Sequence, residues 1–173
     1  MVNYKERFKN IKAFVFDYDG VLTNGTVILM EEGEPLRAAN VRDGYALQLA
    51  AKNGYYIAVI SGGRSKSIIN RFRVLQITNV YLGAGDKVKV FEEFMTEKGI
   101  KPENVLYMGD DIPDYQAMKL AGIAACPADA AEEIKSVAHY ISHQKGGEGC
   151  VRDIIEQVLK IQGKWMNHQA FSW

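Results

Sequence analysis

Five short apolar runs alternate along this chain with amphipathic segments, and that alternation constrains the fold more than any other feature. The runs lie at residues 12–16, 55–60, 79–82, 104–108 and 122–126, and each stops at an Asp, Ser, Gly or Pro. Runs of this length with little polar interruption are strands buried on both faces. Between them, residues 45–53, 66–75, 87–98, 115–120 and 151–161 carry apolar positions at three- and four-residue spacing, the mark of helices with one buried face. Gly54 and Gly99 stand where glycines end helices. Strands alternating with helices predict an α/β fold: a Rossmann-like, doubly wound, mostly parallel sheet covered on both sides. At 173 residues the chain suits one domain spanning 1–173, and no repeat or linker divides it. One stretch departs from the rhythm. Two β-prone runs at 26–30 and 36–41 flank Glu31-Glu32-Gly33-Glu34-Pro35, which predicts a β-hairpin protruding after the first strand, at about 26–41.

Charge excludes several classes of partner. Lys and Arg number 21 and Asp and Glu number 21, so the chain lacks the basic excess of a general nucleic-acid binder or of a coat for anionic membranes. Hydrophobic residues at 47% with charged residues at 24% match a folded globular chain rather than a disordered one. No apolar run reaches the roughly 18 residues of a membrane span, and the first ten residues hold no apolar leader core, so the expected compartment is the cytoplasm. Cys126 and Cys150 form no metal-binding spacing and read as reduced thiols.

In open α/β sheets ligands bind beyond the carboxyl ends of the strands. Here those ends carry Asp17 and Asp19, then Ser61, then Asp110, Asp111 and Asp114, with Lys87 opening the helix after the third run. Clustered carboxylates repel one another unless a cation neutralises them. Oxygen ligands without Cys or His favour Mg²⁺ over zinc. The Ser61-Gly62-Gly63 turn can aim N–H groups and a hydroxyl at phosphate oxygens, and Lys87 can offset charge on a transferring phosphoryl group. The combination points to phosphoryl transfer. Competing motifs fail: Gly20 comes fourth after a strand rather than sixth in a calcium loop, and residues 83–88 lack the third glycine of a dinucleotide fingerprint.

At these residues the chain resembles the haloacid dehalogenase superfamily of phosphohydrolases, through Asp17-Tyr18-Asp19-Gly20-Val21-Leu22-Thr23, Ser61, Lys87 and Gly109-Asp110-Asp111-Ile112-Pro113-Asp114. Asn40-Val41-Arg42-Asp43-Gly44-Tyr45 and Gly146-Gly147-Glu148-Gly149-Cys150-Val151-Arg152 narrow the likeness to the family of 3-deoxy-D-manno-octulosonate 8-phosphate (KDO 8-phosphate) phosphatases. The resemblance implies Asp17 as nucleophile and Asp19 as general acid and base. It implies Mg²⁺ held by Asp17, Asp110 and the Asp19 carbonyl, supported by Asp111 and Asp114. Ser61, Gly62 and Lys87 resemble phosphate ligands, and Asn40, Val41, Arg42, Asp43, Gly44, Arg64 and Arg71 resemble contacts to a phosphorylated sugar acid. Relatives commonly carry a basic residue two places after the motif-two hydroxyl; here that place is Gly63 and the base follows as Arg64.

Neither the stretch from Asp19 to Ser61 nor that from Lys87 to Asp110 has room for a cap domain, so the expected site is open to water. The resemblance implies that neighbouring subunits of a homotetramer cover it through the hairpin. Trp165, Phe171 and Trp173 lie in a tail at about 162–173 that either frays or packs on its own or a neighbouring site. The leading expectation is a KDO 8-phosphate phosphatase supplying lipopolysaccharide precursors. The alternatives are a phosphatase of a nine-carbon keto-deoxy sugar acid, a phosphoacceptor signalling domain, against which Asp19 argues, and a non-catalytic assembly protein.

Overall fold

The computed structural model describes residues 4–173; residues 1–3, where the segment read as leaderless begins, lie outside it. Six strands form one sheet: β1 (Ala13–Phe16), β2 (Tyr56–Ser61), β3 (Asn79–Leu82), β4 (Val105–Met108), β5 (Ile123–Cys126) and β6 (Tyr140–Ile141). Their order is β3-β2-β1-β4-β5-β6, and every pairing is parallel. Among the described residues, seven α-helices accompany them: α1 (Tyr4–Phe8), α2 (Val41–Lys52), α3 (Lys66–Val74), α4 (Lys87–Lys98), α5 (Tyr115–Leu120), α6 (Glu132–Val137) and α7 (Cys150–Ile161).

Because successive side chains of a strand point to opposite faces, each run feeds two cores. Phe14 and Phe16, with Ile57, Val59, Leu106 and Met108, join Leu47, Phe72 and Ile155 of α2, α3 and α7. Ala13 and Val15, with Ala58, Ile60, Val105 and Tyr107, join Phe91, Met118 and Ile134 of α4, α5 and α6. The chain winds from β1 outward to β3, then returns to place β4 on the other side of β1. That reversal is the topological switch point where ligands gather in such sheets. No helix among the described residues is long and apolar enough to cross a membrane.

Three features differ from the sequence expectation, and one alternative left open there is decided. Helix α2 starts at Val41, not Tyr45, because the Asn40 side chain accepts from the Arg42 and Asp43 amides at 2.8 and 3.4 Å and nucleates the first turn. The hairpin closes through one antiparallel bridge, Ile28 with Leu36, rather than a ladder. Without a third strand beside it a two-stranded ribbon is marginal. Short α1, α6 and β6 had no legible period. The tail is ordered on its own chain: residues His168–Phe171 form a 3-10 turn, Ala170 accepts from the Tyr45 hydroxyl, and Trp173 meets the Tyr45 ring edge-on at 5.6 Å.

Candidate active site

A cleft of about 520 Å³ opens at the carboxyl ends of the strands, lined by Asp17, Asp19, Ser61, Gly62, Gly63, Lys87, Asp110, Asp111 and Asp114 among others. Asp17 follows β1 and Asp110 follows β4, so the two flank the switch point. The Asp17 amide donates to Met108 O at 3.0 Å and the Gly109 amide to Ala125 O at 3.2 Å, which carries the strand ladder up to the carboxylates and fixes their bases. Gly20 (φ +90°) lets the chain turn directly over Asp110. A Cβ there would fall 1.9 Å from Asp110 Oδ2, so no larger residue fits without moving that carboxylate.

Lys87, at the first position of α4, is buried and sits 2.7 Å from Asp114 Oδ1 and 2.9 Å from Asp17 Oδ1. Burial alone would lower its ammonium pKa; Asp114 and Asp17 outweigh that and raise it, so the lysine stays charged. The Tyr107 hydroxyl donates to the same Asp114 oxygen at 2.9 Å from a fully buried strand position. Asp17, Asp110 and Asp114 each offer an oxygen within 4.8 Å of the others. Burial, then the Asp114 charge, pushes the Asp17 carboxyl up to about 6 despite Lys87. Burial, then Asp17 and Asp114, pushes Asp110 up to about 8. Asp110 Oδ1 and Asp114 Oδ2 are buried without a hydrogen-bond partner. Three carboxylates around one ammonium leave negative charge uncompensated, and two of their buried oxygens lack a partner. This donor set, all oxygen and short of positive charge, fits a hard divalent cation.

Asp19, two residues after Asp17, accepts from Arg37 Nε at 2.6 Å and from the Thr23 hydroxyl at 3.3 Å. Ser61 Oγ accepts from the Gly63 amide at 3.1 Å and closes the β2–α3 turn. Asp111 is exposed, its Oδ1 accepting from the Ile112 amide at 2.8 Å.

The cleft thus gathers Asp17, Asp19, Ser61, Gly62, Lys87, Asp110, Asp111 and Asp114. The remaining sequence candidates are not among its lining, and the structure gives several of them structural tasks. Asn40 caps α2 and donates to Gly147 O at 3.2 Å. Asp43 is buried, its Oδ1 accepting from the Arg152 amide at 2.7 Å, which ties α2 to the start of α7. Gly44 makes room for the Arg71 guanidinium, which lies 2.3 Å from where a Cβ would stand. Arg64 folds over Gly83 at 3.1 Å by the same measure. Val41 and Arg42 are exposed, and Arg42 faces a separate groove beside His143 and Arg152. The glycine-rich loop before α7 packs on backbone: a Cβ at Gly146 would meet Gly20 O at 1.9 Å. Sequence reasoning passed over Arg37, which has no periodic or spacing signal, and Tyr107. A phenol inside a fully buried strand must find a partner, and that was the available signal for Tyr107.

A capless doubly wound sheet with paired aspartates after β1, a hydroxyl after β2, a lysine opening α4 and acidic residues after β4 defines a phosphohydrolase of the haloacid dehalogenase class. The sequence model of the haloacid dehalogenase-like hydrolase family matches residues 75–154. The 3-deoxy-D-manno-octulosonate 8-phosphate phosphatase KdsC of Salmonella typhi is 36% identical over 156 residues, 90% of this chain and 83% of that protein. KdsC of Yersinia pestis is 36% identical over 159 residues, 92% of this chain and 85% of the relative. Among solved structures, the Yersinia pestis phosphatase superposes with a TM-score of 0.92 at 35% identity, covering 94% of this chain and 88% of that one. The Moraxella catarrhalis phosphatase, in complex with magnesium ion, phosphate ion and KDO, superposes with a TM-score of 0.90 at 33% identity, covering 94% of each chain. The chain belongs to the KDO 8-phosphate phosphatase family, and it is a phosphatase.

Proposed function

We propose that the protein is a single-domain, capless phosphatase that hydrolyses KDO 8-phosphate to KDO and phosphate, with Mg²⁺, through an aspartyl-phosphate. The observation that carries this reading is the buried Asp17–Lys87–Asp114 chain beside Asp110, in a chain whose Moraxella catarrhalis relative is solved with magnesium, phosphate and KDO.

Asp17 is the nucleophile. Its carboxylate is anchored by Lys87 at 2.9 Å and opens into the cleft, so one oxygen can meet phosphorus in line. Attack breaks the bond from phosphorus to the sugar oxygen and forms an acyl phosphate, dividing one hard step into two. Asp19, two residues on, gives its proton to the departing sugar oxygen and then takes one from the water that opens the acyl phosphate. Ser61 and the Gly62 amide hold phosphoryl oxygens, and Lys87 offsets their charge. Asp17, Asp110 and the Asp19 carbonyl hold the Mg²⁺, with Asp114 and Asp111 beside them; the bound ion supplies Lewis-acid stabilisation of phosphoryl charge.

The hairpin gives the open cleft its cover. Ile28, Leu29, Met30 and Leu36 are 61%, 79%, 48% and 53% exposed, an apolar strip of the kind that marks a protein contact. In this reading the strip joins subunits of a homotetramer whose neighbours close one another's clefts. The enzyme works in the cytoplasm, in the supply of lipopolysaccharide precursors.

The test is rapid quench with labelled KDO 8-phosphate. The wild-type chain should release phosphate and leave an acid-stable label on Asp17, while Asp17→Asn shows neither. Wild-type turnover in Asp17→Asn would overturn the assignment.

A further inference from the structure

We propose that Arg37, carried by the chain's own hairpin arm, is a second cation of the phosphoryl site beside Lys87, reaching it next to the side-chain-free position Gly63. The proposal rests on reading the cleft as a phosphomonoester site.

Arg37 is a long charged side chain that is only 13% exposed although it lies on a protruding arm. Three devices hold it there. The Ile28–Leu36 bridge closes the arm one residue before it, with amide-to-carbonyl distances of 3.1 and 3.0 Å. Glu34 latches the arm to the start of α3, accepting from Ser65 Oγ at 2.5 Å and from the Lys66 amide at 3.1 Å. Arg37 Nε then donates to Asp19 Oδ1 at 2.6 Å.

A guanidinium carries five donors in a rigid fork. Here Nε is taken by Asp19 and Nη1 reaches Pro35 O at 3.4 Å, whereas Nη2 has no hydrogen-bond partner among the described residues. That unused end lies beside Gly63, which lines the cleft. A Cβ built on Gly63 would stand 3.3 Å from Ser61 Oγ, 3.7 Å from Asp19 Oδ2 and 3.8 Å from Arg37 Nη2. The hydroxyl, the proposed acid and the spare guanidinium donors therefore converge on one point, beside the turn that would hold phosphoryl oxygens. A side chain longer than a methyl group at position 63 would extend from the point these three groups surround. Lys87 is already engaged by Asp17 and Asp114. A phosphoryl group spreads its charge over three oxygens as it transfers, and a planar guanidinium matches such an array in two-point fashion. Arg37 would exchange part of its contact with Asp19 for the phosphoryl oxygens when substrate enters, which also frees Asp19 to handle the leaving-group proton.

The test compares the full-length wild-type, Arg37→Ala and Arg37→Lys proteins with Mg²⁺, on KDO 8-phosphate and on p-nitrophenyl phosphate. Inhibition by inorganic phosphate is measured alongside, with and without added guanidinium chloride. Arg37→Ala should lose about 100-fold in kcat/KM on both esters, the scale of removing one donor to a developing oxyanion. Its inhibition constant for phosphate should rise about tenfold, as for a lost charged hydrogen bond. Guanidinium, and not equal sodium chloride, should restore part of the rate, and Arg37→Lys should fall between. Three results would overturn the proposal given an active wild type. One is an unchanged phosphate inhibition constant in Arg37→Ala. Another is a loss that guanidinium does not rescue. The last is a loss confined to the sugar acid, which would place Arg37 on its carboxylate instead. A wild type inactive on every ester would instead remove the phosphatase reading beneath it.

Discussion

Binding of Mg²⁺ should release a proton, and the number follows from the charges in the cleft. With Lys87 as the ammonium touching Asp17 and Asp114, the trio with Asp110 cannot all ionise cheaply in the metal-free protein. Asp110 is pushed up to about 8 and Asp17 to about 6. At pH 7 those values leave Asp110 about nine-tenths protonated and Asp17 about one-tenth, together about one proton. A metal binds the ionised carboxylates, so that proton must depart. Calorimetric titration with MgCl₂ at pH 7, in buffers of different ionisation enthalpy, should return about one proton released. Affinity should rise about tenfold per pH unit from about pH 6 to 7.5. Asp110→Asn should abolish the release and most of the affinity. Buffer-independent heats with flat affinity across that range would show that the carboxylates are already ionised and that the electrostatic account of the cleft is wrong.

Three further outcomes follow from particular contacts. Gly20→Ala must drive a Cβ into Asp110 at a φ of +90°, and it should weaken Mg²⁺ binding by about 10–100-fold, measured by the same titration. Tyr107→Phe strips a donor from Asp114 in a buried network. It should cost about 2 kcal/mol, a fall in Tm of about 4–8 °C by calorimetry, together with reduced kcat. Asp43, raised by burial from 3.8 to about 6, stabilises the fold fully below pH 3.8 and loses that contribution as pH rises through 6. From pH 5 to 7 the loss is about 1.3 kcal/mol, and urea unfolding with saturating Mg²⁺ should show a correspondingly shallower pH slope in Asp43→Asn.

How much of this was legible in the sequence divides by range. Residues 12–16 and 104–108 announced buried strands because nothing polar interrupts them, and the aspartates that end them fell at the sheet's carboxyl edge without further information. Helix α4 was read residue for residue, since Lys87 and Gly99 bracket its period, with Asp86 capping and Gly99 in the left-handed region at φ 62°. The stretch from Asn40 to Gly44 is the opposite case. Its polar residues carry the family resemblance, yet Asn40 spends its side chain on the local cap of α2, and Asp43 holds the start of α7, which only the packing of two helices distant in sequence reveals. The hairpin reduced to one bridge because its pairing lacks a third strand. Arg37 was illegible for the same reason: its partner is 18 residues away, across a turn whose course is set by Glu34 on α3.

The most direct measurement is phosphate release, with Mg²⁺ and with EDTA, from KDO 8-phosphate, a nine-carbon keto-deoxy sugar acid 9-phosphate, a hexose phosphate and p-nitrophenyl phosphate. The account predicts a large kcat/KM preference for KDO 8-phosphate that EDTA removes. A preference for the nine-carbon ester, or equal rates on all four, would contradict the substrate assignment, and turnover undiminished by EDTA would contradict the carboxylate cluster as its metal site.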